Sequence, residues 1–180
     1  MATKLTWTVE DLEQLGDDGL FYEIDEGELI TLSPGNRTHG RIEQRLNFRL
    51  ARYLDTHAVG ELFPSDVSFV LQKNPTIVRS PDIAFVRAAR DLGNPDKFIE
   101  GAPDLAIEII SPSERASAIK RKIGQYLEHG AAVVWVVYFN PEEVHIYDST
   151  GERVLRTGDV LEVPALLPGF SLPLAEIFSA

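Results

Sequence analysis

Hydrophobic residues along this chain form short continuous runs as well as helically spaced sets. Residues 105–110 and 132–139 are apolar at nearly every position, which predicts two strands that are buried on both faces. Shorter apolar runs, bounded by turn-forming residues, predict further strands at 21–24, 28–32, 67–71, 83–86, 144–147 and 153–155. The first two of these are joined by a turn at Gly27 and predict a hairpin, while the last two predict a peripheral meander.

Helical spacing marks the longer helices. From Arg37 to about His57 the apolar positions recur every three or four residues, which predicts one long amphipathic helix carrying Ile42, Leu46, Leu50, Tyr53 and Leu54. A second long helix is predicted at 113–129, after the break at Ser111-Pro112 and before Gly130. With strands on either side of these helices, the pattern predicts an α/β fold in which helices flank a central mixed sheet.

Shorter segments complete the prediction. Thr8 with Asp11 is typical of a helix N-cap, so a short helix is expected through Leu15, ended by Gly16 and Gly19. The glycine- and proline-containing stretch 87–102 predicts a mobile loop, which can act as a gate. The tail is expected to dock through an extended segment at 166–170 and a short helix at 174–178.

Composition limits the kind of protein. The chain has 180 residues, 44% of them hydrophobic, which is enough for a substantial core, and we expect a single domain over 1–180. It has no cysteine and four scattered histidines, so disulfides, thiolate zinc sites and cysteine nucleophiles are excluded and a histidine metal cluster is not expected. A site that binds a hard cation through oxygen ligands is compatible with this composition. Without a signal-peptide pattern or an apolar run near the roughly 20 residues of a membrane helix, the expected compartment is the cytoplasm, with no membrane partner.

The distribution of charge bears on nucleic-acid binding. A net charge of -11 argues against broad attraction to a polyanion. Positions three and four apart share a helix face, so the long helix is predicted to carry a stripe of cations, formed by Arg37, Arg41, Arg45, Arg49 and Arg52. This stripe is either a nucleic-acid contact surface, with Arg37, Arg41 and Arg45 as the main candidates, or a solvated face balanced by acidic neighbours.

The candidate chemistry comes from carboxylates on two apolar strands. Glu108 lies within an Ile-Glu-Ile-Ile run, where an ionised carboxylate is costly to bury without a partner or metal, and it shares a strand face with Ala106 and Ile110 beneath the predicted second helix. Asp82 begins another strand after Pro81. If these strands are neighbours, the two carboxylates converge and could hold Mg²⁺ or Mn²⁺ beside a phosphate, together with a backbone carbonyl and waters.

Each residue of this candidate site also has an interpretation without a catalytic role. Asp82 could be a turn-capping aspartate, Glu108 could pair structurally with Arg121 or Lys122, and Lys122 could be a solvated helix residue. A lysine at the site could orient a water, stabilise an anion, or help to deprotonate the nucleophile if its own pKa is depressed.

At these residues the sequence resembles the PD-(D/E)XK nuclease superfamily, and most closely its Uma-type branch of restriction-like endonucleases, long catalogued as a domain of unknown function. The resemblance extends over nearly the whole chain. The matching segments are Tyr22-Glu23-Ile24 with Gly27-Glu28-Leu29, His39, Pro81-Asp82, Pro103-Asp104-Leu105, Glu108 to Ser113, Lys122, Tyr126, Gly130, Trp135-Val136, and Leu167-Pro168-Gly169-Phe170.

The resemblance implies a restriction-endonuclease-like fold, in which α-helices flank a central mixed β-sheet and the β-hairpins are peripheral. It also implies a Mg²⁺- or Mn²⁺-dependent endonuclease that acts on DNA. Asp82 and Glu108 would bind the metal, with the Ile109 carbonyl as a possible ligand. An E-x-K signature would place lysine at position 110, where this chain has Ile110. In the branch that it resembles, the lysine comes from the following helix, and the matching position here is Lys122, with Lys120 as a competitor about 200° away around the helix.

The resemblance also gives accessory candidates, which are His39, Glu23 and Glu28. Two further functions remain compatible with the sequence. One is a non-catalytic binding module that keeps the fold, and the other is a metal-dependent hydrolase of small phosphodiesters. Cleavage of both DNA strands would favour a homodimer.

Overall fold

A computed structural model of the protein describes residues 6–15, 18–111 and 114–179. The helices of this part of the chain are α1 Val9–Gln14, α2 Arg37–Leu54, α3 Ala116–Glu128 and α4 Leu174–Phe178. The strands are β1 Tyr22–Asp25, β2 Glu28–Thr31, β3 Gly60–Pro64, β4 Phe69–Lys73, β5 Thr76–Arg79, β6 Ile83–Arg87, β7 Ile99–Glu100, β8 Leu105–Ile110, β9 Val133–Phe139, β10 Glu142–Asp148, β11 Gly151–Arg156, β12 Val160–Leu161 and β13 Leu172–Pro173.

The central element is a six-stranded mixed sheet with the order β11-β10-β9-β8-β6-β3. The inner strands β8 and β9 run parallel, and the other neighbouring strands of the sheet are antiparallel. The residues of β8 are buried throughout, as the continuous apolar run predicts. The predicted α/β fold with a central mixed sheet is therefore confirmed.

Alternation along β8 sends its side chains into two different cores. Leu105, Ile107 and Ile109 join the core that α2 and α4 cover, together with the apolar face of α2. Ala106 and Ile110 join the opposite core, which α3 covers with its own apolar residues, Ile119, Ile123 and Tyr126. Glu108 falls on the α3 side, under a covering helix as predicted.

A second sheet, with the order β2-β1-β5-β4-β7, packs beside the first. The hairpin of β1 and β2 is confirmed, and its turn has Gly27 at φ 85. The hairpin is less peripheral than predicted, because β1 also pairs with β5 at Ile24 and Val78 and buries Glu23. This sheet thereby brings the N-terminal hairpin against the segment that leads into Asp82.

The first helix and the C-terminal elements agree with the sequence pattern. The Thr8 hydroxyl accepts from the Asp11 N–H while the Asp11 carboxylate accepts from the Thr8 N–H, the reciprocal cap that the sequence predicts. Gly16, predicted to end the helix, lies outside the described residues. At the other end of the chain, the short helix α4 follows the strand β13 and packs on α2.

Several predicted boundaries were wrong. The helix expected from residue 113 begins at Ala116, after Arg115, which makes no side-chain capping bond; Pro112 and Ser113 lie outside the described residues. The helix α2 stops at Leu54 rather than near His57. The strand predicted at 67–71 lies at 69–73.

Other predictions missed whole elements. Strands β3 and β5 were not predicted. The supposed loop at 87–102 contains β7, which pairs with β4, and Arg90 donates hydrogen bonds to the carbonyls of Glu100 and Ala102. The predicted meander is not fully peripheral either, because β10 pairs along its whole length with β9 and buries Val144 and Ile146 in the α2-side core. Across the described residues the structure contains no helix with the length and hydropathy needed to span a membrane.

Candidate active site

Asp82 and Glu108 lie on neighbouring strands of the central sheet. Asp82 immediately precedes β6, which runs antiparallel to β8 with Ile83 opposite Ile107. One step further in this register places Asp82 opposite Glu108. The Asp82 carboxylate Oδ2 accepts a hydrogen bond of 2.6 Å from the Ile109 N–H, which fixes it against β8.

Glu108 is bound from above by helix α3. Lys122 Nζ donates to both carboxylate oxygens of Glu108, at 3.1 and 3.0 Å, and the Tyr126 hydroxyl donates to Oε1 at 2.8 Å. Lys122 and Tyr126 are four residues apart and so share a helix face. Lys120 is exposed. The structure therefore brings Lys122, not Lys120, to the carboxylates.

His39 approaches Asp82 from the N-terminus of α2. The Asn36 side chain caps this helix by accepting from the Thr38 and His39 N–H groups, which sets the first turn beside the site. His39 Nε2 lies 3.2 Å from Asp82 Oδ1, and Nδ1 lies 3.7 Å from Glu43. A Cβ on Gly35 would lie 2.7 Å from Nδ1 of the same ring, so a glycine there leaves room for the imidazole.

Glu23 belongs to a buried ionic network next to Lys122. Its Oε1 lies 3.0 Å from Lys122 Nζ and accepts from the Ser80 N–H at 3.1 Å, while Oε2 accepts from Arg79 at 2.8 Å. Arg79 also pairs with Asp25 at 2.9 Å and donates twice to Gln125 Oε1. Gln125 Nε2 in turn donates to Asp25. Glu23 and Arg79 are only 1% and 2% exposed, so each depends on these partners.

Burial and neighbouring charges set the protonation of the site. Burial raises the pKa of Glu108 to about 7, and the Asp82 and Glu23 carboxylates add to that rise against the attraction of Lys122. Burial alone would lower the pKa of Lys122, but its ion pairs with Glu108 and Glu23 raise the pKa above the usual value. For Glu23, burial is outweighed by Lys122 and Arg79, which hold its pKa below the usual range. The hydrogen bond from His39 to Asp82 raises the pKa of His39.

Access to solvent differs among the site residues. The side chains of Asp82 and Lys122 are each 18% exposed and that of Glu108 is 8% exposed. A phosphate could therefore reach Asp82 and Lys122 more directly than Glu108. Within the described ranges, no three histidine or acidic side chains are grouped to hold a metal ion. Asp82 and Glu108 are two carboxylates that the strand register brings together.

The other sequence candidates lie apart from this pair or have structural partners. Glu28 is exposed on β2 and is not brought to the site, and Arg37 is exposed near the start of α2. Arg41 is half-buried. Arg45 donates to the carbonyls of Ile177 and Ser179, and Arg49 pairs with Glu176, so these two arginines hold α4 against α2.

A cavity beside α2 does not coincide with the carboxylates. It has a volume of about 390 Å³ and lies between α2 and α4, lined by Gln44, Arg45, Phe48, Arg49, Glu176 and Ser179. It contains no acidic pair and no member of the Asp82 cluster.

Sequence reasoning missed Arg79, Asp25, Gln125 and Glu43. For Arg79 a signal was present, because a charged residue ends the Thr-Ile-Val run two residues before Pro81. The roles of Asp25 and Gln125 depend on contacts across 54 and 46 residues of chain to Arg79, which no local pattern reports.

Comparison with known proteins agrees with the resemblance read from the sequence. The Uma2 family, described as "Putative restriction endonuclease", matches residues 9–175. A crystal structure titled as a putative nuclease belonging to DUF820 from Anabaena variabilis has a TM-score of 0.83 at 20% sequence identity, covering 96% of this chain and 98% of that chain. Among curated proteins no match was found. This chain belongs to the Uma2 putative restriction endonuclease family.

Proposed function

We propose that this protein is a nuclease that hydrolyses phosphodiester bonds in DNA with the help of Mg²⁺ or Mn²⁺. The observation that carries this proposal is the convergence of Asp82 and Glu108 from neighbouring strands, with Lys122 Nζ 3.0 Å from Glu108. Family membership supports a nuclease as the general activity.

The donor set suits a hard divalent cation. Two carboxylates supply oxygen ligands of the kind that Mg²⁺ and Mn²⁺ prefer. Asp82 helps to raise the pKa of Glu108, which indicates repulsion between the carboxylates that a cation would relieve. When bound, the ion would supply a Lewis acid that neutralises charge developing on the phosphate and promotes ionisation of the attacking water.

Asp82 and Glu108 would hold the ion. The Ile109 N–H orients Asp82, and the Ile109 carbonyl remains a predicted third ligand. His39 holds the other oxygen of Asp82 and, when protonated, adds a positive charge that attracts a phosphate. Tyr126 holds Glu108 from the helix side.

Lys122 acts as a cation in this scheme. Its raised pKa keeps the ammonium group charged near neutral pH, so it suits stabilisation of the developing negative charge or orientation of the water. Of the three roles compatible with the sequence, proton abstraction is therefore the least favoured.

Cleavage of supercoiled plasmid DNA with Mg²⁺ or Mn²⁺ tests the proposal. We expect Asp82→Ala, Glu108→Ala and Lys122→Ala to lose about 10²-fold or more in rate, as removal of one catalytic group typically does. Lys120→Ala is the matched control, because Lys120 is exposed two residues away on the same helix, and it should retain activity. Metal-independent cutting, or equal rates for the Lys122 and Lys120 variants, would contradict the mechanism.

A second candidate function is a binding module without catalysis. It is favoured by the fact that both Glu108 oxygens already have donors on α3. Calorimetric titration with Mn²⁺ separates the two: a catalytic site should bind the ion in a manner that requires Asp82 and Glu108. Assay of a small phosphodiester in parallel distinguishes a small-molecule phosphodiesterase from a nuclease.

A further inference from the structure

Lys122 has two carboxylate anchors rather than one. Its ammonium group lies 3.0 Å from Glu108 Oε2 and 3.0 Å from Glu23 Oε1. The two anchors come from different sheets, since Glu108 is on β8 of the central sheet and Glu23 is on β1 of the second sheet. Lys122 therefore sits between the sheets, and each carboxylate fixes it from one side.

The two carboxylates that hold Lys122 differ in their other partners. Glu108 faces Asp82 and is a proposed metal ligand, so a cation would draw its oxygens away from Lys122 and share their lone pairs. Glu23 is not a proposed ligand, and its partners are protein donors. Its two oxygens accept from Arg79, the Ser80 N–H and Lys122, and Glu23 itself is only 1% exposed.

Arg79 makes Glu23 rigid. The guanidinium donates to Glu23 at 2.8 Å and to Gln125 at 2.9 and 2.6 Å, and it pairs with Asp25 at 2.9 Å. Gln125 lies on α3, three residues after Lys122. The Ser80 N–H ties the same Glu23 carboxylate to the segment two residues before Asp82. Glu23 thereby relates the position of Lys122 to that of Asp82.

We propose that Glu23, fixed by Arg79, is the positioning residue that keeps Lys122 at the reacting phosphate when Glu108 turns to a metal ion. Glu23 substitutes for Glu108 as the partner of the ammonium group, so that the lysine neither swings to solvent nor competes with the ion. The inference rests on the proposed function and assigns to Arg79 and Glu23 a role that Asp25, although in the same network, does not share.

The matched variants are Glu23→Gln and Asp25→Asn. Each removes one negative charge beside Arg79, but Asp25 is bonded to Arg79, Arg121 and Gln125 and has no contact with Lys122 among the described residues. Loss of stability through Arg79 should therefore be common to both variants, whereas loss of the Lys122 anchor should be specific to Glu23→Gln.

The first readout does not depend on activity. Lys122 is acetylated with limiting acetic anhydride at fixed pH, with and without Mn²⁺, and its labelling is measured by peptide mass spectrometry relative to the exposed Lys120. We expect the wild-type protein and Asp25→Asn to show low labelling that Mn²⁺ changes by less than about twofold. In Glu23→Gln we expect labelling to rise severalfold without metal, and about tenfold or more with Mn²⁺, because both partners are then lost.

The second readout is steady-state cleavage. Glu23→Gln should lower kcat by about tenfold or more with KM nearly unchanged, the sign of an interaction lost in the transition state. Glu23→Asp, which keeps the charge but is shorter, should restore part of kcat. If Glu23→Gln does not fold, Lys122 acetylation is measured in Glu23→Asp instead. Mn²⁺ should raise the labelling in Glu23→Asp, but by less than the rise expected for Glu23→Gln.

Equal Lys122 labelling in Glu23→Gln and wild type, or equal effects of the Glu23 and Asp25 variants, would overturn the inference. Failure of the proposed function looks different. In that case Mn²⁺ would neither bind by calorimetry nor support cleavage in the wild-type protein, while the metal-free labelling would still report whether Glu23 anchors Lys122.

Discussion

At the scale of the single residue, Glu108 carries two explanations that the sequence presented as rivals. A glutamate inside an apolar strand needs either a structural ion pair or a functional ligand. The structure supplies the ion pair through Lys122, and the same contact places beside the carboxylate the lysine that the resemblance predicted for the site. The structural ion pair and the functional ligand are therefore compatible with the same arrangement of side chains. Binding of a metal ion would distinguish the two interpretations.

The raised pKa of Glu108 predicts that metal affinity depends on pH. Below a pKa of about 7 the carboxyl is protonated, and an ion must displace that proton. Mn²⁺ affinity should therefore fall by about tenfold per pH unit below about pH 7 and level off above it. Calorimetric titrations in buffers of different ionisation enthalpy measure the proton released.

His39 provides the control for this titration, because its pKa is also raised and it touches Asp82. If His39→Asn keeps the pH dependence, the displaced proton belongs to Glu108. Mn²⁺ affinity that is constant from about pH 5.5 to 8.5 would show that Glu108 is not a ligand.

Gly35 gives a way to test His39 without altering its chemistry. A methyl group at position 35 would meet the imidazole at 2.7 Å, so Gly35→Ala should push the ring away from Asp82. We expect cleavage to fall by about tenfold, close to the effect of His39→Ala, with little change in the melting temperature.

Gly40→Ala is the matched control for this change. Gly40 lies in α2 next to His39. Nothing lies within 4 Å of the added carbon, and alanine favours the helix by up to about 1 kcal/mol. Gly40→Ala should retain activity and melt at the same or a higher temperature. Equal losses in the two variants would indicate a general effect on α2.

At the scale of the element, predictions succeeded where a segment is long and its pattern is self-contained. The helix α2 was predicted because its apolar positions follow one period over many residues, and the strands β8 and β9 because their apolar runs are continuous. Glu108 could be singled out for a similar reason, since one charged residue inside a continuous apolar run stands out in the sequence.

The elements that were not predicted share a physical cause, because each is defined by partners that are distant along the chain. The strand β5 is only four residues long, and its place is fixed by pairing with β1 and β4. The strand β7 is two residues long and is defined by its parallel pairing with β4. The network around Arg79 exists only once these pairings are made, so no local pattern could have revealed it.

At the scale of the whole molecule, charge is segregated. The chain has a net charge of -11, whereas α2 contains five arginines and a single glutamate. Arg45 and Arg49 are engaged with α4, which leaves Arg37, Arg41 and Arg52 as the candidates on this helix for contact with a phosphate backbone. A homodimer with two sites stays a prediction.

The arginines of α2 make a prediction about salt dependence. If Arg37 and Arg41 contact phosphates, the double change to Gln should reduce the slope of log K against log salt by about two for duplex DNA. Binding is measured in the catalytically impaired Asp82→Ala background with Ca²⁺ present. Arg153→Gln is the control, because Arg153 lies on the edge strand β11 of the central sheet.

Arg45→Gln should behave differently from the Arg37 and Arg41 changes. It removes bonds to the carbonyls of α4, so the melting temperature should fall while the salt slope changes little. An unchanged slope in the double variant would assign α2 to the solvated-face interpretation.

The position of the hairpin of β1 and β2 has a consequence for the order in which the molecule assembles. Glu23 and Asp25 must reach Arg79 across 56 and 54 residues before that guanidinium is neutralised in its buried place. We therefore expect docking of the N-terminal hairpin and completion of the site to occur together. A chain that starts after the hairpin would keep Asp82, Glu108 and Lys122 but leave the buried Arg79 without its counter-charges. A molecule whose hairpin has not yet docked has the same defect, so we expect neither of them to cleave DNA.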